Sequence, residues 1–159
     1  MNLNKLAAIA VPCALSVVQP AWAAHFTTLK MFSVEPQHLP APLTRADDGA
    51  FYTTSRDGGS NGFGMVFRVT TNGLMTPLWS FTGGLDGGYP LAGLVQATNG
   101  ALYGTTAYGG SNGYGTIYRI TTNGVFTRQY SFPVGNAYDP VTSPLEGELV
   151  RGDDGALYG

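Results

Sequence analysis

Cysteine is almost absent from this chain of 159 residues, since the only one is Cys13 in the N-terminal segment. Residues 1 to 23 have the pattern of an export signal, described below, so we expect a mature protein without cysteine. This excludes disulfides, thiol nucleophiles and thiolate metal sites from the mature protein. Its stability must therefore come from packing.

The export signal has three parts. Lys5 supplies a positive charge, an apolar stretch runs from Leu6 to Val18, and Ala21-Trp22-Ala23 is a small-x-small cleavage site. The apolar stretch is shorter than the roughly 20 residues that a membrane span requires. We predict that residues 1–23 are removed after export and that the mature chain begins near Ala24, with an uncleaved N-terminal anchor as the alternative.

Charge is also scarce, because Asp, Glu, Lys and Arg make up only 11% of the residues, against about 25% in an average protein. Without Lys5, the formal net charge of −2 becomes −3. The arginines are not clustered: they are Arg45, Arg56, Arg68, Arg119, Arg128 and Arg151. Nucleic-acid binding requires a basic patch, so this class of partner is excluded.

The sequence is instead rich in glycine and aromatic residues, with 23 Gly, 9 Tyr and 8 Phe, and it repeats. Residues 49–73 return 51 positions later as residues 100–124, with 15 of 25 positions identical. A further copy begins at Gly155 as GALYG. Repeats of about 20 to 50 residues indicate solenoids, propellers or arrays, in which each unit needs its neighbours to bury an apolar face.

Each repeat predicts four short strands separated by turns. In the second unit these are Leu91–Ala97, Ala101–Tyr108, Gly115–Thr121 and Val125–Phe132. The corresponding strands of the first unit are Pro42–Ala46, Phe51–Ser55, Met65–Thr70 and Leu74–Phe81. Asn-Gly or Asp-Gly pairs separate the first strand from the second and the third from the fourth, and a Gly-rich loop separates the second from the third. Such pairs favour two-residue hairpin turns in which both residues take positive φ.

These patterns predict an all-β fold of tandem four-stranded antiparallel sheets, with two blades and part of a third from a β-propeller-like array.

We assign residues 24–39 to an N-terminal segment, 40–89 to the first repeat, 90–143 to the second and 144–159 to a partial third. Residues 28–32 resemble a fourth strand that closes a ring. A closed ring takes about four to eight blades, so we interpret the chain as a fragment of a longer array. The alternative architecture is an open β-solenoid or a stacked meander. We also expect Tyr52, Phe67, Tyr103 and Tyr118 in a core shared by the two sheets.

The repeated unit LYGTTxxGGSNGxGxhYRhTTNG, in which h is apolar, resembles the GloVer tandem repeat, a family of secreted bacterial proteins. The resemblance covers residues from about 40 to 159. The first unit departs from the pattern at Thr53 and Asp57, where the second has Gly104 and Tyr108. The resemblance implies a secreted or cell-surface, propeller-like repeat protein of unassigned activity.

Few residues suggest chemistry. His25 and His38 have no partner at ligand spacing, so we expect no metal or other cofactor. Asp47-Asp48 and Asp153-Asp154 each precede a turn glycine and are interpreted as turn residues. Arg68 and Arg119 occupy equivalent positions and are expected to bridge neighbouring blades. The GGSNGxG loops precede strands rather than helices, which excludes phosphate-binding loops.

The candidate binding residues lie in the loops between second and third strands and in the connections between units. In a propeller these segments share one face, and aromatic residues with Asn, Asp and Arg there are suited to glycans or peptides. The candidates are Arg56, Asp57, Asn61, Phe63, Asp86, Tyr89, Tyr108, Asn112 and Tyr114, together with Tyr138 and Asp139.

We therefore expect an exported repeat module of non-catalytic binding or structural type, with a glycan or a protein as the candidate partner. Loop packing without a ligand is a competing explanation of the same residues. The alternative function is part of an extracellular polysaccharide lyase or hydrolase whose catalytic residues lie outside this sequence. The one pair of acidic residues that is unique to one unit, Glu146 and Glu148, is expected to flank a strand edge.

Overall fold

The computed structural model describes residues 41–133 and 148–159. The predictions about the export signal, the ring-closing strand 28–32, His25, His38, Tyr138, Asp139 and Glu146 lie outside these residues. No helix occurs in the described part of the chain. The predicted all-β fold of tandem four-stranded antiparallel sheets is confirmed.

The first sheet is a meander of four strands. They are β1 (Thr44–Arg45), β2 (Phe51–Ser55), β3 (Met65–Val69) and β4 (Met75–Ser80). Each strand pairs antiparallel with the next, in the order β1-β2-β3-β4. The β-branched and aromatic residues of β2 and β3 account for these central strands.

The second sheet repeats this order. Its strands are β5 (Val95–Gln96), β6 (Leu102–Thr106), β7 (Thr116–Ile120) and β8 (Phe126–Ser131). The third unit contributes the pair β9 (Val150–Arg151) and β10 (Leu157–Tyr158). Both four-stranded sheets shift register at equivalent places, between Val66 and Phe67 and between Ile117 and Tyr118.

The turns differ from the predicted two-residue hairpins. Gly49 and Gly100 have positive φ, but the preceding Asp48 and Asn99 do not. In the first turn, the Gly49 amide donates to the Ala46 carbonyl at 2.9 Å and the Ala46 amide donates to the Ala50 carbonyl at 3.0 Å. The turn is therefore longer, with only the glycine left-handed. The physical reason is the Asp48 side chain, whose Oδ1 accepts the Ala50 amide and holds the alternative turn.

The two sheets pack through opposite faces. Because side chains alternate along a strand, Tyr52 and Val66 lie on one face of the first sheet and contact the second. The second sheet presents Leu102, Tyr118 and Ile120, whose equivalents in the first sheet point the other way. All five side chains are fully buried. Each contributes roughly 1.5–3 kcal/mol of hydrophobic stabilisation.

Aromatic rings join the sheets at the outer strands. Phe81, directly after β4, meets Tyr118 edge-on with centroids 5.1 Å apart. Trp79 on β4 stacks on Phe126 of β8 at 4.3 Å. The sheets are also joined at β2, where the Thr54 hydroxyl donates to the Ala92 carbonyl at 3.0 Å. The sheets therefore share one core.

The predicted core is half correct. Tyr52 and Tyr118 are fully buried, whereas Phe67 and Tyr103 are only partly buried. Phe67 is the repeat equivalent of Tyr118, and Tyr103 is the equivalent of Tyr52. Because the sheets meet through opposite faces, a position that faces the shared core in one unit faces away from it in the other.

An Asp-Tyr-Arg cluster, formed by Asp48, Tyr52 and Arg68, ties the first turn to its sheet. Asp48 Oδ2 accepts the Tyr52 hydroxyl at 2.7 Å and Arg68 Nη2 at 3.3 Å. Arg68 thus bonds within its own unit, and the expectation that it bridges blades is wrong. Bridging is done instead by Arg128, which donates to the Leu85 carbonyl at 3.1 Å, and by Arg151.

The cluster recurs with changes in the later units. Asn99 donates to the Tyr103 hydroxyl at 3.2 Å, and Asp154 accepts the Tyr158 hydroxyl at 2.7 Å. Desolvation raises the pKa of Asp48, but hydrogen bonds from Tyr52, Ala50 and Arg68 outweigh it and lower this pKa below its usual value. Since the pKa is lower in the folded state, the negative charge stabilises the fold at neutral pH.

Replacing Asp48 with Asn should lower the urea midpoint at pH 7, because it removes the charge but keeps the turn acceptor. The difference from the native chain should be full above pH 3.8, the ordinary pKa, and disappear as pH falls through the lower folded value. Asp154→Asn is the matched control, expected to change the midpoint less because Asp154 and Tyr158 are both exposed. Equal effects of the two variants at pH 7 would contradict this account.

Tyr118 carries the one buried side-chain polar atom that lacks a hydrogen-bond partner within residues 41–133 and 148–159. Burial raises the pKa of its hydroxyl. The ring lies beside its cross-strand partner Gly104, where an added Cβ would come within 2.6 Å of the hydroxyl oxygen. The first unit has Thr53 opposite Phe67 at these positions. The glycine therefore accommodates the whole end of the Tyr118 ring, including its hydroxyl.

Tyr118→Phe should raise the free energy of unfolding by about 1 kcal/mol, because it removes an unpaired buried hydroxyl and keeps the ring. Denaturant unfolding measures the change. Gly104→Ala should destabilise both the native chain and the Tyr118→Phe variant, because an added Cβ would also lie 2.7 Å from the Tyr118 ring and 2.9 Å from Leu94 Cδ2. A loss of stability in Tyr118→Phe would show that the hydroxyl has a stabilising partner.

Candidate functional site

Three loops meet at one end of the two sheets. They are the β2–β3 loop (56–64), the β4–β5 connection (81–94) and the β6–β7 loop (107–115). The Tyr89 amide donates to the Phe63 carbonyl at 2.8 Å, joining the first two. Gly88 and Tyr108 exchange two backbone hydrogen bonds, at 2.8 and 3.1 Å, joining the second and third. The backbone therefore fixes the loops relative to one another.

Each loop contributes one ring to an aromatic cluster. The centroids of Phe63 and Tyr89 are 5.4 Å apart, those of Tyr89 and Tyr108 are 6.2 Å apart, and those of Phe63 and Tyr108 are 6.4 Å apart. The Arg56 guanidinium lies over the Tyr89 ring, 5.5 Å from its centroid. We call these four residues the aromatic loop surface. Tyr108 is 48% exposed and is its most accessible ring.

Backbone constraints hold Tyr89 and Phe63 in place. Tyr89 has a φ of 55°, and within the described ranges it is the only residue other than glycine with a positive φ. Such a conformation costs roughly 1–3 kcal/mol and often occurs at binding sites. Gly83 lies against Phe63, where an added Cβ would sit 2.6 Å from the ring. A larger residue at position 83 would displace the Phe63 ring.

Two of the predicted binding residues have structural roles in the loops. The Asn61 amide nitrogen donates to the Phe81 carbonyl at 3.4 Å, and that of Asn112 donates to the Phe132 carbonyl at 3.1 Å. Both bonds connect the second loop of a unit to the end of its fourth strand. The repeated GGSNG sequence therefore encodes a loop anchor.

Asp86 likewise forms hydrogen bonds with β4 and with its own segment, the β4–β5 connection. Its Oδ2 accepts the Trp79 indole nitrogen at 3.2 Å and the Thr82 amide at 3.0 Å, while Oδ1 accepts the Thr82 hydroxyl. The carboxylate is thus surrounded by donors from the protein. It holds Trp79 against Phe126 and shapes the connection that carries Tyr89.

The last two candidates are Asp57, at the edge of the aromatic loop surface, and Tyr114, further along the β6–β7 loop. Asp57 Oδ2 is 4.0 Å from Arg56 Nη1. Tyr114 is the repeat equivalent of Phe63, is 37% exposed, and makes a backbone bridge to Gly109. The structure therefore brings together Arg56, Phe63, Tyr89 and Tyr108, with Asp57 at the edge.

A second concave region, absent from the sequence predictions, lies between the first strands of the three units. This inner-strand cleft has a volume of about 520 Å³. Its polar lining residues are Thr44, Arg45, Asp47, Gln96, Glu148 and Arg151. The sequence did contain a signal for this region. Equivalent positions in the three units, each two residues after a leucine, are occupied by Arg45, Gln96 and Arg151.

Within the described residues, no group of three or more His, Cys, Asp or Glu side chains is arranged to hold a metal ion. These residues also include no helix long and apolar enough to cross a membrane. Glu148 lines the inner-strand cleft and is exposed.

Two sequential four-stranded sheets that share a core, with equivalent turns, bulges and loop anchors in both units, define a tandem β-sheet repeat protein. The family model described as the Gloeobacter/Verrucomicrobia repeat matches residues 16–159, and the chain belongs to this family. This confirms the resemblance inferred from the repeat sequence. No curated protein matches the chain.

Proposed function

We propose that this chain is an exported, non-catalytic repeat module that binds a glycan through the aromatic loop surface. The observation that carries this proposal is the convergence of Phe63, Tyr89 and Tyr108 from three loops, with Arg56 over one ring. Sugar rings stack on aromatic faces through their C–H groups, and their hydroxyls bond to neighbouring polar side chains. Tyr108 supplies an accessible face and Arg56 and Asp57 supply polar groups.

The arrangement suits binding because it is ordered before a ligand arrives. Cross-loop backbone bonds, the positive φ of Tyr89 and the contact of Gly83 with Phe63 all restrict the rings. A preorganised site loses little conformational entropy on binding. Asn61, Asn112 and Asp86, by contrast, support the loops and are not proposed as ligand contacts.

Export is part of the same proposal. Lys5, the apolar stretch and the Ala21-Trp22-Ala23 site support secretion with cleavage after Ala23. The further proposal that the sheets belong to a propeller-like ring rests on their sequential order and opposite-face packing. Every unit that such a ring adds would bring another loop of the same type.

Tyr108→Ala should weaken binding of neutral oligosaccharides roughly tenfold, since it removes the most accessible stacking face. The secreted protein is purified, and its mass should match a chain that begins at Ala24. It is then titrated by calorimetry with β-linked glucose, galactose and N-acetylglucosamine hexasaccharides.

Tyr130→Ala is the matched control, because Tyr130 is 49% exposed but lies on β8 against Phe132. Binding that survives in the control and falls in Tyr108→Ala supports the site. The proposal is wrong if no oligosaccharide binds, or if both variants lose affinity equally.

A further inference from the structure

The inner-strand cleft has the dimensions of a small-ligand site. Its volume of about 520 Å³ falls within the roughly 300–1,000 Å³ typical of ligand pockets. All three units contribute to it, through β1, β5 and β9. The cleft is therefore created by the association of repeats and does not exist in a single unit.

Hydrogen bonds of Gln96, within its own unit and to both neighbouring units, hold the wall of the cleft. Gln96 Oε1 accepts the Asp47 amide at 2.9 Å, and its Nε2 donates to the Gly100 carbonyl at 3.0 Å. Arg151 Nη1 donates to the Gln96 carbonyl at 3.2 Å. Gln96 thus uses both ends of its amide for structure, while Arg151 uses one of its five N–H donors in the bonds described.

The cleft contains positively and negatively charged side chains that form no ion pairs with one another. Among the described residues, the Arg45 guanidinium has no hydrogen-bond or ion-pair partner, and Asp47 and Glu148 form no ion pair with either arginine. Val95, Leu149 and Val150 add apolar surface, and Val150 is 62% exposed. The lining can therefore bind an anion, accept hydrogen bonds and contact an apolar face.

We propose that the inner-strand cleft binds an acidic sugar residue. A carboxylate matches the planar donors of arginine, which bind it in a bidentate manner. Ring hydroxyls donate to Asp47 and Glu148, and the C–H face of the sugar packs on Val150. A simple anion satisfies the arginines but leaves both carboxylates without donors. The inference rests on the proposed glycan-binding function and adds an acidic residue to its ligand.

The test uses a pair of probes that differ at one group, tri-galacturonate and tri-galactose, titrated into the chain by calorimetry. Tri-galacturonate should bind more tightly than tri-galactose, and Arg45→Gln should reduce the difference roughly tenfold, the effect of losing one charge-assisted contact. Arg45 has no partner in the described residues, so this variant should keep the native unfolding midpoint. Arg119→Gln, on β7 and outside the cleft, is the matched control.

The inference is overturned if tri-galacturonate and tri-galactose bind alike, if Arg45→Gln leaves the difference unchanged, or if acetate or glycine competes as well as tri-galacturonate. Neutral oligosaccharides are measured on the same samples. If they bind through Tyr108 while the acidic preference is absent, the cleft assignment alone fails. If neither binds, the proposed function fails with it.

Discussion

The packing of each sheet against the opposite face of the next determines most of this structure. Tyr52 and Tyr118 belong to different positions of the repeat, yet they meet in the same core because the two sheets present different faces. The constraint explains why Tyr103 and Phe67, equivalent to these two residues, are only partly buried. It also explains the use of Gly104 with Tyr118 and Thr53 with Phe67 as cross-strand pairs. A repeat position thus has no fixed environment.

The same packing creates both candidate binding regions. It places the β6–β7 loop beside the connection 81–94, so that Tyr108, Tyr89 and Phe63 form one surface. At the inner strands it places β5 between β1 and β9, and the resulting cleft is lined by three units. Neither region belongs to a single repeat. The proposed binding function therefore depends on the junctions between units. There the residue type differs between equivalent positions, as with Asp57 in the first unit and Tyr108 in the second, while the scaffold stays constant.

The strands were predictable because repetition and residue type agree: Val, Ile, Thr and aromatic residues occur between turn glycines. The turn geometry was not, because Asp48 and Asn99 use their side chains to hold a longer turn, which the Asn-Gly rule does not anticipate. The aromatic surface followed from loop position. Loop position alone did not reveal that Asn61, Asn112 and Asp86 form hydrogen bonds with other groups of the protein. The inner-strand cleft was missed because Arg45 and Arg151 lie 106 positions apart.

The central claim, that the two sheets form one cooperative unit through a shared core, is tested most directly by native-state amide hydrogen exchange. The amides of β2, β3, β6 and β7 should open with one common free energy, equal to that of global unfolding. Phe81→Ala, which removes the ring between Tyr118 and Phe126, should lower that value by about 3 kcal/mol in both sheets alike. If only the amides of one sheet lose protection, the sheets unfold independently and the account is wrong.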